Sequence, residues 1–313
     1  MPEPVVDVRH LTKSYGDFVA VRDLSFAVHP GEIFGLLGPN GAGKTTTIRI
    51  LMDIYAADRG QVRVLGEHPS RVRSRVGYLP EERGLYRNLK VMEVLVYLAA
   101  LKGVPPAQAR RQAEHWLAQV KLDGWAERKV KDLSRGMQQQ LQFVASLVHD
   151  PELLVLDEPF QGLDPVNVER LKAILQELQA AGKTIVLSTH QMGLVEELCN
   201  RIVLIHRGTA VLYGPLDEIQ HRHAPRRVRI RTSASLPPLS GVARVERRGD
   251  TYQVELADGT PQELLRALVL QDVPIHSFEV ARVPLNEIFV AVVQGEKPGA
   301  AERPETESQE AAP

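Results

Sequence analysis

The stretch Gly38-Pro39-Asn40-Gly41-Ala42-Gly43-Lys44-Thr45 follows the pattern G-x-x-x-x-G-K-[ST]. Its chemistry is phosphate binding. Backbone N–H groups wrap phosphate oxygens, and glycines let the backbone approach closely and adopt positive φ. A helix opening behind the loop adds partial positive charge. Lys44 supplies a point charge for β and γ phosphates, and the Thr45 hydroxyl is suited to Mg²⁺. Gly38, Asn40, Gly41, Ala42, Gly43, Lys44, Thr45 and Thr46 are therefore the candidate phosphate-contacting set. A second element is Leu153-Leu154-Val155-Leu156-Asp157-Glu158, an apolar run ending in two carboxylates. Asp157 is placed to hold Mg²⁺ through water. Glu158 is placed to orient or deprotonate an attacking water.

Both groups need elements to present them. Glu32-Ile33-Phe34-Gly35-Leu36-Leu37 reads as a buried strand feeding the glycine-rich loop, and Thr45 to Met52 as the helix after it. Val5 to Val28 alternates apolar and polar residues around turns at Tyr15-Gly16-Asp17 and His29-Pro30-Gly31, which predicts short strands. From about Arg83 to Asp150 the pattern is helical, with Val91 to Leu101, Ala107 to Val120 and Gln138 to Val148, the last capped by Ser134. Leu153 to Leu156 and Thr184 to Ser188 return to buried-strand composition around an amphipathic helix over Val166 to Ala180. Strands alternating with helices predict an α/β fold, a parallel sheet interrupted by a helical insert.

Beyond residue 220 the pattern changes. Arg227 to Arg231 alternates strictly, and Gly249-Asp250 separates two further strand-like runs. The expected order over 221–294 is βββαβα, a small α+β domain. Residues 295–313 are rich in Glu, Pro and Ala and are expected to be disordered. Arg222, Arg226, Arg227, Arg229 and Arg231 make a local basic cluster, read as a solvated strand face in preference to a contact for anionic headgroups.

Composition bounds the function classes. The chain has 313 residues, 43 % hydrophobic and 25 % charged, as in ordinary globular proteins. Lys and Arg total 38 against 39 acidic residues, and aromatics reach only 5 %, which argues against a dedicated nucleic-acid binder. The single cysteine, Cys199, fits a reducing compartment. The first residues lack the pattern of a signal peptide, and no apolar run approaches the roughly 18–20 residues of a membrane span. A cytoplasmic location is expected.

Leu133-Ser134-Arg135-Gly136-Met137-Gln138 resembles the LSGGQ signature of ATP-binding cassette (ABC) ATPases. Ser134 lies 90 residues after Lys44 and 23 before Asp157. Phosphate loop, helical insert, signature and carboxylate pair occur in that family's order over roughly Val5 to Ile219. The resemblance implies a P-loop NTPase domain with a mixed sheet, ATP and Mg²⁺ as cofactors, and ATP hydrolysis coupled to transport. It implies an adenine-stacking role for Tyr15, contacts from Ser134 and Gly136 to a γ-phosphate, a dimer-crossing loop at Gly162-Leu163-Asp164, and a γ-phosphate contact from His190. It also implies a head-to-tail dimer, a separate transmembrane permease subunit, and a position at the cytoplasmic face of the cell membrane.

Two departures stand out. Arg135 and Met137 replace residues usual in the signature, while Ser134 and Gly136 are kept. Glu81, after Gly77-Tyr78-Leu79-Pro80, stands where the family usually has a glutamine, and adds a carboxylate beside the metal position of Thr45 and Asp157. Both departures, with the ending Val283-Pro284-Leu285-Asn286-Glu287-Ile288-Phe289, resemble the ATPase subunits of bacterial exporters that carry a small C-terminal domain. The competing class is a soluble ABC ATPase acting on nucleic acid or ribosomes. Members of that class carry heptad inserts or two ATPase domains, and this sequence shows neither. A nucleotide-binding module without catalysis is disfavoured by the presence of both Glu158 and His190.

Overall fold

The computed structural model describes residues 3–82, 84–223, 227–280 and 283–294. The chain divides into two compact units between Leu216 and Asp217. In the first unit, β1 (Val6–Tyr15) and β2 (Phe18–Val28) form a hairpin, followed by β3 (Ile33–Leu37), α1 (Lys44–Leu51), β4 (Arg59–Val64) and β5 (Val76–Leu79). A helical stretch follows: α2 (Val91–Leu101), α3 (Pro106–Gln119) and α4 (Arg135–Leu147). The chain then returns to alternation with β6 (Leu153–Asp157), α5 (Pro165–Ala180), β7 (Thr184–Thr189), α6 (Met192–Leu198), β8 (Arg201–His206) and β9 (Thr209–Pro215).

Six strands form one sheet in the order β5-β6-β7-β3-β8-β9. Its pairs are parallel except β8 with β9. Every residue of β3, β6 and β7 is buried, as expected of parallel strands covered on both faces. The hairpin and β4 form a second, antiparallel sheet in the order β2-β1-β4. Leu11 and Leu24 from that sheet, Phe34 and Leu36 from β3, and Ile48 from α1 share one core. Phe26 and Phe34 stack across it, 5.3 Å between ring centroids. Tyr213 ties the sheets further: the Ala27 N–H donates to its hydroxyl at 3.1 Å.

The helical stretch is joined to the main sheet at close quarters. A Cβ on Gly77 of β5 would lie 2.2 Å from the Ser146 carbonyl oxygen of α4, so only glycine lets the two backbones approach this far. Ser134 caps α4, its hydroxyl accepting from the Met137 N–H at 3.3 Å, as the sequence predicts, although the helix starts three residues earlier than expected. Strands β4, β5, β8 and β9 are absent from the sequence reading. Strand β4 buries only its last residue and β5 is four residues long, so neither carries a readable alternation.

The division after Leu216 falls within α7 (Leu216–His223), which also contains the expected boundary at residue 220. The second unit then runs β10 (Arg227–Thr232), β11 (Val242–Arg248), β12 (Thr251–Leu256), α8 (Pro261–Leu270), β13 (Ile275–Val280) and α9 (Leu285–Gln294). Its antiparallel sheet has the order β11-β12-β10-β13. Ile230, Val254, Leu264 and Leu268 fill its own core. A reciprocal cap opens α8: the Glu263 N–H donates to the Thr260 hydroxyl at 3.3 Å, and the Thr260 N–H to the Glu263 carboxylate at 2.9 Å. In the basic cluster, exposed Arg222 donates to Glu218 at 3.2 Å and Arg229 stands 3.9 Å from Glu279. Arg226 and the tail over 295–313 lie outside the described residues. Among the described residues no helix is long and apolar enough to cross a membrane.

Candidate functional site

The phosphate loop is the connection from β3 to α1. Gly43 ends it in the left-handed region at φ 109°, and a Cβ there would meet the Ala20 carbonyl oxygen at 2.5 Å. The loop is closed on itself. The Ala42 N–H donates to the Pro39 carbonyl at 3.2 Å, and the Lys44 ammonium donates to the Gly38 carbonyl at 2.8 Å and the Pro39 carbonyl at 3.3 Å. Lys44 is buried. That burial pulls its pKa below the ordinary lysine value, and the charges of Glu158, Asp157 and Glu81 act in the opposite direction.

Strand β6 delivers the two acids. Asp157 is wholly buried, and neither carboxylate oxygen has a hydrogen-bond partner. Burial raises its pKa; the hydroxyls of Ser188 and Thr45 nearby oppose that rise, and the charges of Glu81 and Glu158 add to it. A buried anion without a partner is costly, and the site fits a hard cation that would accept those oxygens. Among the described residues no three His, Cys, Asp or Glu side chains can hold an ion by themselves. That suits Mg²⁺, which takes one or two carboxylates and fills its remaining positions from phosphate and water.

Glu158 sits in the left-handed region, φ 49°, unusual for a residue with a side chain and costing about 1 kcal/mol. Its surroundings fix it there. The Glu158 N–H donates to the Ser188 carbonyl at 3.0 Å. The Thr189 hydroxyl donates to one carboxylate oxygen at 3.2 Å, and His190 Nδ1 lies 2.8 Å from the other. The Gln139 amide of α4 donates to the carbonyls of Glu158 at 3.4 Å and Pro159 at 3.2 Å. Strands β6 and β7 thus bring Glu158 and His190 together from 32 residues apart.

A cavity of about 280 Å³ gathers Tyr15, Asn40, Gly41, Gly43, Lys44, Thr45, Thr46, Glu81, Asp157 and Glu158. Gly38 and Ala42 support it from the loop, and His190 reaches it through Glu158. Tyr15 lies at the hairpin turn, half exposed, with Lys13 5.6 Å from its ring centroid and Tyr55 edge-on at 6.0 Å. Phe18, paired with Tyr15 across the turn and more exposed, also lines the cavity with Ala20. Phe18 is not among the sequence-derived candidates, although an aromatic on the far side of Gly16-Asp17 was the available signal.

Ser134, Gly136 and Asp164 do not line that cavity. Ser134 is occupied as a cap, and Gly136 packs against the loop at Gly162, where a Cβ would be 3.3 Å from the carbonyl oxygen. Asp164 caps α5: it accepts from the Asn167 N–H at 3.0 Å and from the Asn167 amide at 2.6 Å. Those bonds hold its pKa below the usual carboxylate range.

Residues 21–161 match the family model described as ABC transporter, and residues 214–293 match the C-terminal domain of DrrA1-3-like ATP-binding proteins. The chain is 37 % identical over 293 residues to the uncharacterised ABC transporter ATP-binding protein YhaQ of Bacillus subtilis, covering 92 % of this chain and 98 % of the relative. It is 42 % identical over 218 residues to the Nod factor export ATP-binding protein I of Paraburkholderia xenovorans, covering 68 % and 72 %. Among solved structures, an ATP-binding subunit of an ABC transporter superposes with a TM-score of 0.65 at 32 % identity, over 70 % of this chain and 92 % of that one. The dimeric post-hydrolysis structure of an ATP-binding cassette bound to ADP and Pi superposes with a TM-score of 0.63 at 23 % identity, over 67 % and 98 %. A strand-to-helix phosphate loop opposed by a buried acid pair defines a nucleotide-hydrolysing P-loop protein. The chain belongs to the family of ABC transporter ATP-binding proteins, the nucleotide-binding, ATP-hydrolysing subunits of transporters.

Proposed function

We propose that this chain is the ATPase subunit of a membrane exporter and hydrolyses ATP in a head-to-tail pair of cassettes. The observation that carries the catalytic part is the single cavity holding Lys44, Thr45, Asp157 and Glu158. On this reading the ring of Tyr15 supports the adenine, and the loop amides and Lys44 bind the phosphates. Asp157, Thr45 and Glu81 face the metal position. Mg²⁺ held there would supply neutralising charge for the phosphates during hydrolysis. Glu158 accepts the proton of a water attacking the γ-phosphorus, while the bond from that phosphorus to the β-γ bridging oxygen breaks and ADP departs. His190, 2.8 Å from the Glu158 carboxylate, orients that base.

Ser134 and Gly136 lie outside the cavity of their own chain. On this reading they serve a γ-phosphate held by a second copy, with Asp164 at the junction; the dimeric state of the cassette above supports pairing as such. The membrane subunit is a separate polypeptide. A groove of about 480 Å³ lined by Ile54, Pro80, Leu85, Leu98 and Leu101 is the docking place for that partner on this reading. Export direction is supported by the Nod factor export relatives. The chain then works at the cytoplasmic face of the membrane.

The test is Glu158→Gln in the purified protein. Hydrolysis should fall by about 10²–10⁴-fold while ATP binding persists and the protein elutes as a dimer with ATP. Near-normal turnover removes Glu158 from the role of base. A multi-span protein recovered with the tagged chain from membranes supports the transporter reading; its replacement by ribosomes or DNA overturns it.

A further inference from the structure

The groove and the nucleotide cavity share one turn, and a buried side chain of α4 grips that turn on both sides of Glu81. Glu81 lines the nucleotide cavity, whereas Pro80 lines the groove. The Gln142 amide nitrogen of α4 donates to the carbonyls on both sides of Glu81, Pro80 and Glu82, each at 3.0 Å. Both N–H bonds of one amide are therefore spent on the residues flanking a single carboxylate. Gln142 is only 4 % exposed, and its carbonyl oxygen has no partner at all. A buried amide left half-satisfied costs stability, so this position is expensive to keep unless its donors do something. A second clamp comes from the phosphate-loop helix: Arg49 donates to the Glu82 carboxylate and to the Tyr55 hydroxyl, each at 3.2 Å.

We infer that Gln142 is a positioning residue for the metal: by gripping the backbone on both sides of Glu81 it fixes where that carboxylate stands relative to Thr45 and Asp157. This rests on the reading of Glu81 as facing the metal. A carboxylate on a free turn reaches a cation at the entropic cost of ordering both backbone and side chain, and a carboxylate on a clamped turn at the side-chain part alone. Outer partners of metal-facing groups typically tune metal affinity by about 10–100-fold. Gln142 lines the groove and not the nucleotide cavity, so its removal should act on the metal requirement and leave ATP recognition alone.

The experiment titrates Mg²⁺ against the full chain at fixed ATP, following hydrolysis, and measures Mn²⁺ binding directly by its electron paramagnetic resonance signal. Gln142→Met conserves volume and removes the donors. Gln142→Glu conserves shape and sets an acceptor against the two carbonyls, and serves where the first variant fails to fold. Either should raise the half-saturating metal concentration about tenfold or more, weaken Mn²⁺ binding in parallel, and leave metal-free ATP affinity within twofold. In a Glu81→Gln background the same substitution should add less than twofold, because the carboxylate it positions is gone. A metal requirement unmoved by both Gln142 variants while Glu81→Gln shifts it overturns the positioning role and keeps the Glu81 reading. A requirement unmoved by Glu81→Gln overturns both. Independent, multiplicative effects of the two substitutions overturn the link between the residues.

Discussion

Asp157 is the residue on which stability and function oppose each other. Its carboxylate is wholly buried and unpartnered, and burial raises its pKa. In the metal-free protein that charge is a liability; on the proposed reading a cation beside it turns it into a ligand. Asp157→Asn should therefore stabilise the nucleotide- and metal-free protein by about 1–2 kcal/mol, read as a higher unfolding midpoint, and eliminate Mg²⁺-dependent hydrolysis. Lower stability of the variant would mean that the carboxylate has a partner in solution. The phosphate loop and the acid pair were legible in the sequence because their chemistry demands fixed residue types at fixed spacing. The Thr189 hydroxyl and the Gln139 amide that hold Glu158 were not, since each reaches it from a separate element and only the parallel pairing of β6 with β7 and the packing of α4 bring them near.

Among the elements, α4 joins the helical stretch to the rest through its Gln139 and Gln142 and through its close approach to Gly77 of β5; Lys102, at the end of α2, adds a bond to the Val76 carbonyl at 3.3 Å. Just past the end of α4, His149 lies 3.2 Å from the Val76 carbonyl and lines the groove. Burial, and then the charge of Lys102, push its pKa down to about 4. The unfolded chain takes up that proton near pH 6.5, the folded chain only near 4. From 6.5 downward the unfolded state thus binds protons that the folded state refuses, and stability is lost progressively. His149→Gln keeps a donor for Val76 and does not titrate; its unfolding midpoint should fall less steeply between pH 6.5 and 4 in a denaturant series. An unchanged slope would put the acid sensitivity elsewhere. Helices with clear periodicity, such as α3 and α5, were readable in advance. Strands β4, β5 and β9 were not, because sheet edges and short strands draw their identity from neighbours rather than from their own pattern; β8 did carry a signal, the apolar run Ile202-Val203-Leu204-Ile205, as plain as that of β6.

At the scale of the molecule, each unit has a core of its own, divided within α7. The nucleotide cavity lies wholly in the first unit. Calorimetry should resolve two transitions, and ATP with Mg²⁺ at about a hundred times the dissociation constant should stabilise one of them by about 2.7 kcal/mol and leave the other in place. A single transition shifted as a whole would mean that the units unfold together. The order βββαβα of the second unit was readable because each strand there is bounded by its own turn residues. The helix before it was hidden by its polar composition, which resembles a linker.

The position of Ser134 and Gly136 outside the cavity that holds Lys44 has a genetic consequence. On the proposed pairing, every functional unit draws on two copies of the chain. A defective copy is then not merely idle. In a cell making equal amounts of the normal chain and a Glu158→Gln chain, random pairing places a defective partner in about three quarters of the dimers. Such an allele should act dominantly, poisoning the transport powered by its normal sibling. A Lys44 allele that cannot hold ATP should pair poorly, leaving the sibling's work largely intact, and so behave as recessive.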